Sequence, residues 1–195
     1  MIFHCLGRSR GLRRGGGRAF RGDGGGGDRR NLVFAIDVVP SRLELALELG
    51  ATHIVDSSKD DPVEAIREVT GKGVDFAMDS TGIPAVIRNA VLALRPMGSA
   101  AVVGASKPGA LVGLDANDLM QSVKSIRGVV EGDSVPDIFI PKLIDLYLAG
   151  RFGFDRLVKF YPLDQINEAA ADSEEGGTLK PIIRIGAMRL PVARV

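Results

Sequence analysis

The chain has no tryptophan, one cysteine (Cys5) and only two histidines, His4 and His53. A single thiol excludes an internal disulfide framework, and so few sulfur and imidazole groups exclude a structural zinc cluster. No apolar run approaches the roughly 20 residues of a membrane helix, so no membrane partner is expected. The opening Met1-Ile2-Phe3-His4-Cys5-Leu6 is too short for a signal peptide and lacks a preceding basic segment. An excess of one charge is missing as well: the formal net charge is +1, which excludes a strongly basic or acidic protein overall. What remains is 195 residues with 45% hydrophobic and 25% charged side chains, the balance of a soluble globular protein, with the cytoplasm as the expected location.

The neutral total hides a seam near residue 31. Residues 1–30 hold eight arginines and two aspartates, about +6 in charge, whereas the rest of the chain holds 17 basic and 22 acidic residues. Ten of the 25 glycines also fall in those first 30 residues. Arg13-Arg14-Gly15-Gly16-Gly17-Arg18 and the following Arg21-Gly22-Asp23 and Gly24 to Gly27 have no helical or strand period. Such a stretch cannot bury enough apolar area to offset its chain entropy and is expected to be disordered by itself.

From Asn31 onward, strand and helix signals alternate. Leu32-Val33-Phe34-Ala35-Ile36, ending at Asp37, reads as a buried parallel strand. A helix follows over 41–49, then a short strand over 52–55. Asp61-Pro62 opens a helix through Val63, Ile66 and Val69 that stops at Gly71. Residues 74–78 read as a strand, 83–94 as a helix, Pro96-Met97-Gly98 as a turn and 100–103 as a fourth strand. Beyond it, Asp115 caps a short helix, 125–130 form a strand, 134–148 the longest helix, 163–173 a further helix and 181–185 a last strand. Connections this short permit only right-handed crossovers within one sheet, so the class is α/β with a doubly wound parallel sheet.

In such sheets ligands meet the carboxyl ends of the strands. Asp37 stands at the end of the first readable strand, where a carboxylate can accept two hydrogen bonds from an adenosine ribose and repel a 2′-phosphate; a solvated strand end or a cap for the next helix uses the same residue type. Arg42 can lie over an adenine face. Asp79-Ser80-Thr81-Gly82 and Val103-Gly104-Ala105 follow the third and fourth strands, offering hydroxyls and glycines where backbone can approach a ligand, although plain turns look alike. A dinucleotide site also needs a glycine turn about 20 residues before the ribose acid. Counting back reaches Gly15-Gly16-Gly17, which lack a preceding strand and a following apolar helix.

The run from Ala35 to Ala46, with Leu49-Gly50-Ala51-Thr52, resembles the second strand and following helix of zinc-type medium-chain alcohol dehydrogenases. Gly73-Val74-Asp75-Phe76-Ala77-Met78-Asp79-Ser80-Thr81-Gly82 resembles that family too, as do Phe160 to Ala169 and Gly177-Thr178-Leu179-Lys180-Pro181. Through Glu131-Gly132-Asp133-Ser134-Val135-Pro136 it is most similar to the aryl-alcohol dehydrogenases. The resemblance covers residues 31–186 and implies a Rossmann-like domain, incomplete, over 31–150, a return segment of the catalytic domain over 151–186 and a tail over 187–195. It implies that Asp37 holds the adenosine ribose of NAD and that Arg42 flanks the adenine. Thr81, Gly82, Val103 and Gly104 would line the cofactor groove, Glu131 would lie near the nicotinamide, and Lys180 would reach the pyrophosphate. The implied reaction is hydride transfer between a small-molecule alcohol or aldehyde and the nicotinamide, with zinc as Lewis acid in the intact family member. The family's zinc ligands and Gly-x-Gly-x-x-Gly turn are absent from this chain, so no catalytic residue or metal ligand is assigned and the chain alone is expected to be inactive. A homo-oligomer is expected of an intact member, pairing near residues 125–130.

Where family members carry the first strand, glycine turn and apolar helix, this chain has Arg10 to Arg30. Residues 1–30 therefore read as disordered or as an out-of-frame translation, because a one-base shift turns Gly-Gly codon pairs into codons for valine, alanine, glycine or glutamate. The competing account is a nucleotide-binding module whose basic arm contacts RNA by phosphate charge and by stacking at Phe20, although nucleic acid is not the expected partner. A third is a zinc-free, quinone-reductase-like oxidoreductase. Without its first strand the sheet is expected to expose an edge beside Ile36 and to be marginally stable unless something covers that edge.

Overall fold

The computed structural model describes residues 3–8 and 31–186. The Gly15–Gly17 run, the remainder of 9–30 and the 187–195 tail lie outside the described residues. The chain divides into two compact units, Met1–Asp133 and Ser134–Val195. No helix among the described residues is long and apolar enough to cross a membrane.

The first unit is built on six strands: β1 (Phe3–Arg8), β2 (Asn31–Asp37), β3 (His53–Asp56), β4 (Val74–Asp79), β5 (Leu94–Val102) and β6 (Ser125–Gly128). Helices α1 (Pro40–Glu48), α2 (Pro62–Thr70), α3 (Pro84–Leu92) and α4 (Ala116–Gln121) follow β2, β3, β4 and β5. The strands lie in the order β3-β2-β1-β4-β5-β6, that of a doubly wound sheet. The pairs β2–β3, β4–β5 and β5–β6 are parallel, as the strand–helix alternation predicts.

The strand between β2 and β4 departs from expectation. Phe3–Arg8, part of the segment expected to lack regular structure, runs antiparallel to both neighbours, with Phe3 opposite Ile36, Arg8 opposite Asn31 and His4 opposite Met78. The edge expected to be exposed beside Ile36 is therefore covered. The physical reason is pairing: β2 and β4 each present a row of N–H and C=O groups toward the gap, and an extended segment of either polarity satisfies both rows.

Local signals explain the flanking helices. The Asp61 carboxylate accepts from the amides of Val63 and Glu64, Pro62 occupies the first helical position of α2, and Gly71 ends it at φ +74°. Asp115 caps α4 as its sequence predicts. Pro96-Met97-Gly98 differs from the turn expected there. It lies within β5 as a bulge: Val74 pairs with Leu94 but Phe76 pairs with Ser99, and Met97 takes φ +64° to absorb the extra residues. Phe34, Val55, Ile66, Val74, Val91 and Leu94 form the centre of a core whose members sit between sheet and helices.

The second unit holds α5 (Pro136–Leu148), β7 (Val158–Pro162), α6 (Ile166–Glu174) and β8 (Lys180–Arg184). β7 and β8 form a parallel two-stranded sheet. The strand at 158–162 and its pairing are additional to the elements expected from the sequence. Tyr161 anchors this unit; it is buried and its hydroxyl donates to Asp172 Oδ2 at 2.6 Å. Lys159 Nζ reaches the same oxygen at 2.7 Å. Lys159 first, and Tyr161 second, hold the Asp172 carboxyl below its ordinary range.

Candidate functional site

At the carboxyl ends of β2, β3 and β4 the first unit opens a cleft of about 260 Å³. Asp37 and Val38 come from the end of β2, Ser57 from the end of β3, Thr81 and Ile83 from the loop after β4, and Val86 and Asn89 from α3. Asp37 and Thr81, singled out separately in the sequence, thus line one site.

Asp37 is 3% exposed. Its Oδ1 accepts from the amides of Val38 at 2.7 Å and Val39 at 2.9 Å, and Oδ2 lies 4.0 Å from Arg42 Nη1. It is therefore neither a solvated strand end nor a side-chain cap of α1, whose N-cap position is Val39. Arg42 folds back toward this carboxylate. The Asp37 side chain is only 1% exposed. Asp56 stands beside Asp37 in register on β3. Lys59 at 2.7 Å and then Ser58 hold its carboxyl down at about 2.

Asp79 organises the loop beyond β4. Wholly buried, it accepts from the Thr81 amide at 3.0 Å and the Thr81 hydroxyl at 2.7 Å through Oδ1, and from the Gly82 amide at 3.0 Å through Oδ2. The Thr81 oxygen in turn accepts from the Ile83 amide at 2.9 Å, so the hydroxyl both closes the turn and starts α3. The Asp79 carbonyl receives the amides of Val103 at 2.8 Å and Gly104 at 3.1 Å. A Cβ on Gly104 would stand 2.1 Å from the Gly82 nitrogen, and one on Gly82 would stand 2.3 Å from the Ala105 carbonyl oxygen. The two glycines let one loop backbone approach the other. Asp79 was legible only as part of the Asp-Ser-Thr-Gly string; an acid two residues before a threonine and three before a glycine at a strand end is the signal for this turn.

The remaining residues singled out in the sequence are not gathered by this cleft. Val103 is exposed beyond β5, and Gly104 packs under Thr81 and Gly82. Glu131, Gly132 and Asp133, after β6, take three successive left-handed conformations, with φ of +50°, +67° and +54°, and Arg127 pairs with Asp133. Lys180 belongs to the second unit, exposed at the start of β8 opposite Val158.

Comparison with known proteins agrees with the resemblance. Residues 31–149 match the zinc-binding dehydrogenase family, and the chain belongs to it. Geraniol dehydrogenase of Castellaniella defragrans is 41% identical over 159 residues, 81% of this chain and 42% of that protein. The benzyl alcohol dehydrogenase structure from Acinetobacter calcoaceticus superposes with a TM-score of 0.76 at 54% identity, covering 78% of this chain and 42% of that one. An alcohol dehydrogenase zinc-binding domain protein from Burkholderia ambifaria gives a TM-score of 0.76 at 59% identity, over 78% and 41%. The chain spans about two-fifths of the length of these relatives. Among the described residues no group of three or more His, Cys, Asp or Glu could hold a metal ion.

Proposed function

We propose that the first unit is the adenosine-binding side of an NAD site, and that the reaction it serves in the whole enzyme is hydride transfer between the nicotinamide and a small alcohol or aldehyde, of the aryl class. The observation that carries this reading is Asp37: a carboxylate, fixed by two backbone amides at the end of β2, lining the cleft that Thr81 also lines. A ribose diol entering there meets Oδ2, the oxygen beside Arg42. A hydroxyl donating to that carboxylate oxygen makes a charge-assisted, strong hydrogen bond. A 2′-phosphate at the same place would face the Asp37 carboxylate, which favours NAD over NADP. Displaced from Asp37, the Arg42 guanidinium is placed on α1 to flank the base.

When bound, the nicotinamide supplies the hydride acceptor; this chain's own contribution is to hold and orient the adenosine. The aryl class rests on the likeness to a benzyl alcohol dehydrogenase. Titration calorimetry of the full chain with NAD and NADP tests the site. Asp37→Asn keeps an acceptor for the backbone amides and removes the charge. We expect it to weaken NAD binding about tenfold or more, the loss of roughly 1.5–3 kcal/mol in hydrogen bonds to a charged group, and to narrow the gap between NAD and NADP. Unchanged affinity and preference in a variant with wild-type circular dichroism would refute the assignment.

A further inference from the structure

We infer that α5 is a contact surface between two copies of this chain, which pair their α5 helices antiparallel about Ile144.

The make-up of the helix is the first argument. Of its 13 residues, Pro136–Leu148, only Asp137, Lys142 and Asp145 are charged. At about 100° per residue, Ile140, Ile144, Tyr147 and Leu148 fall in one stripe, at the spacing i, i+4, i+7 and i+8. All four are exposed, and the ring of Tyr147 is held by that of Phe154, 4.7 Å away between centroids. Lys142 and Asp145 stand together on another side of the helix, and Leu143 and Leu146, on a third, are half-buried. A helix apolar on two sides belongs where both are covered, and a stripe at this spacing is the form in which one helix meets another.

The ends of the stripe identify the occupant. A two-fold axis through Ile144 sets that residue against its own copy and Ile140 against Leu148. Seven positions out on either side it sets residue 137 against residue 151. These are Asp137, exposed in the first turn of α5, and Arg151, exposed just beyond its last. Arg151 is tied to the helix end: its amide donates to the Leu146 carbonyl at 2.8 Å, and the Gly150 amide donates to that of Tyr147 at 2.9 Å, with Gly150 at φ +67°. Each copy thus offers an acid where the other offers a base, and it does so at both ends. Antiparallel pairing also sets the positive amino end of each helix beside the negative carboxyl end of the other.

A lipid surface is a poorer match. Helices that lie on membranes carry lysine and arginine on the polar side, whereas α5 has one lysine and two aspartates. Four stripe residues a copy are also few beside the roughly 20–30 a side of a standard interface, so the pair is weak and chain concentration governs it.

Sedimentation velocity of the full chain over about 1–200 μM reads the pairing. The mean mass is expected to climb from that of one chain toward that of two. Ile144→Glu places two carboxylates on the axis and is expected to weaken association about tenfold or more. Ile138→Glu, at an exposed residue about 120° round the helix from Ile144, is expected to leave it unchanged. Asp137→Arg or Arg151→Asp alone is expected to weaken pairing several-fold, and the two together to restore it. A chain that stays monomeric throughout would overturn the inference. So would equal effects of Ile144→Glu and Ile138→Glu, or a double charge reversal that associates no better than either single one. The charge reversals lie at exposed positions and keep the test decisive should Ile144→Glu lose the circular dichroism of the wild type.

Discussion

The helices α3 and α5 are both rich in apolar residues, yet only one uses them. α3, in the first unit, buries Ile87, Ala90 and Val91. α5, in the second, is Pro-Asp-Ile-Phe-Ile-Pro-Lys-Leu-Ile-Asp-Leu-Tyr-Leu and has no buried residue; Ile138, Phe139, Ile140, Ile144 and Leu148 are all exposed. The contrast extends to the units themselves. Of the buried apolar residues among those described, only Tyr161 and Ala169 belong to the second unit. Hydrophobic content sets what a segment could bury; burial depends on how much sheet lies against it. A six-stranded sheet gives α3 a face, whereas a two-stranded sheet is marginal as a platform.

The strongest way to break this comparison is to truncate one isoleucine in each unit. Ile66→Ala, at a wholly buried site in α2, should cost about 2–5 kcal/mol in urea unfolding, whereas Ile138→Ala on α5 should stay within about 0.5 kcal/mol. Equal losses would mean that α5 is buried in solution. Next in size is Gly104→Ala. Its added carbon would press on backbone rather than on a flexible side chain, so a loss of about 1–3 kcal/mol is expected, together with weakened adenosine binding as the Thr81 loop shifts. Wild-type stability in that variant would show that the two loops are farther apart than described.

Tyr161→Phe sharpens the comparison from the other side. It removes the hydroxyl donated to Asp172 and should destabilise the second unit by about 1 kcal/mol. The Asp172 carboxyl should also rise toward its ordinary range, which NMR titration reads directly, while the core of the first unit keeps its hydrogen-exchange protection. The smallest effect concerns acid. Asp56 titrates at about 2 in the folded chain against an ordinary 3.8, so its contribution is complete above about pH 4 and disappears as pH falls toward 2. Asp56→Asn should flatten the acid dependence of unfolding in that window. An identical acid limb in variant and wild type would refute the Lys59 pairing.

Much of the first unit is legible because its determinants are local. Asp61-Pro62 and Gly71 bound α2 to the residue, and β2 is announced by five apolar residues closing on Asp37. Pro96-Met97-Gly98 carries the chemistry of a turn, and the backbone does bend there; what the string omits is that Val74 and Phe76 pair on either side of the bend and make it part of β5. The site was half legible. Asp37 and Thr81 could be picked out as strand-end residues, but Asp79, whose carboxylate shapes the Thr81 loop, shows its role only when its three donors are seen. Val103, Glu131 and Lys180 do not line the cleft, because a resemblance transfers positions along the chain and not the partners that complete a groove.

By itself the sequence determined the alternation of strands and helices, the helix stops and the placing of an acid at the end of β2, since each depends on neighbours a few residues apart. The tertiary structure alone decided that Phe3–Arg8 fills the slot between β2 and β4 in the reverse direction, that the Asp37 carboxylate is almost wholly shielded, and that α5 keeps its apolar side chains uncovered. Those outcomes depend on which edges and faces remain unsatisfied once distant segments have met, and no short window of residues carries that information.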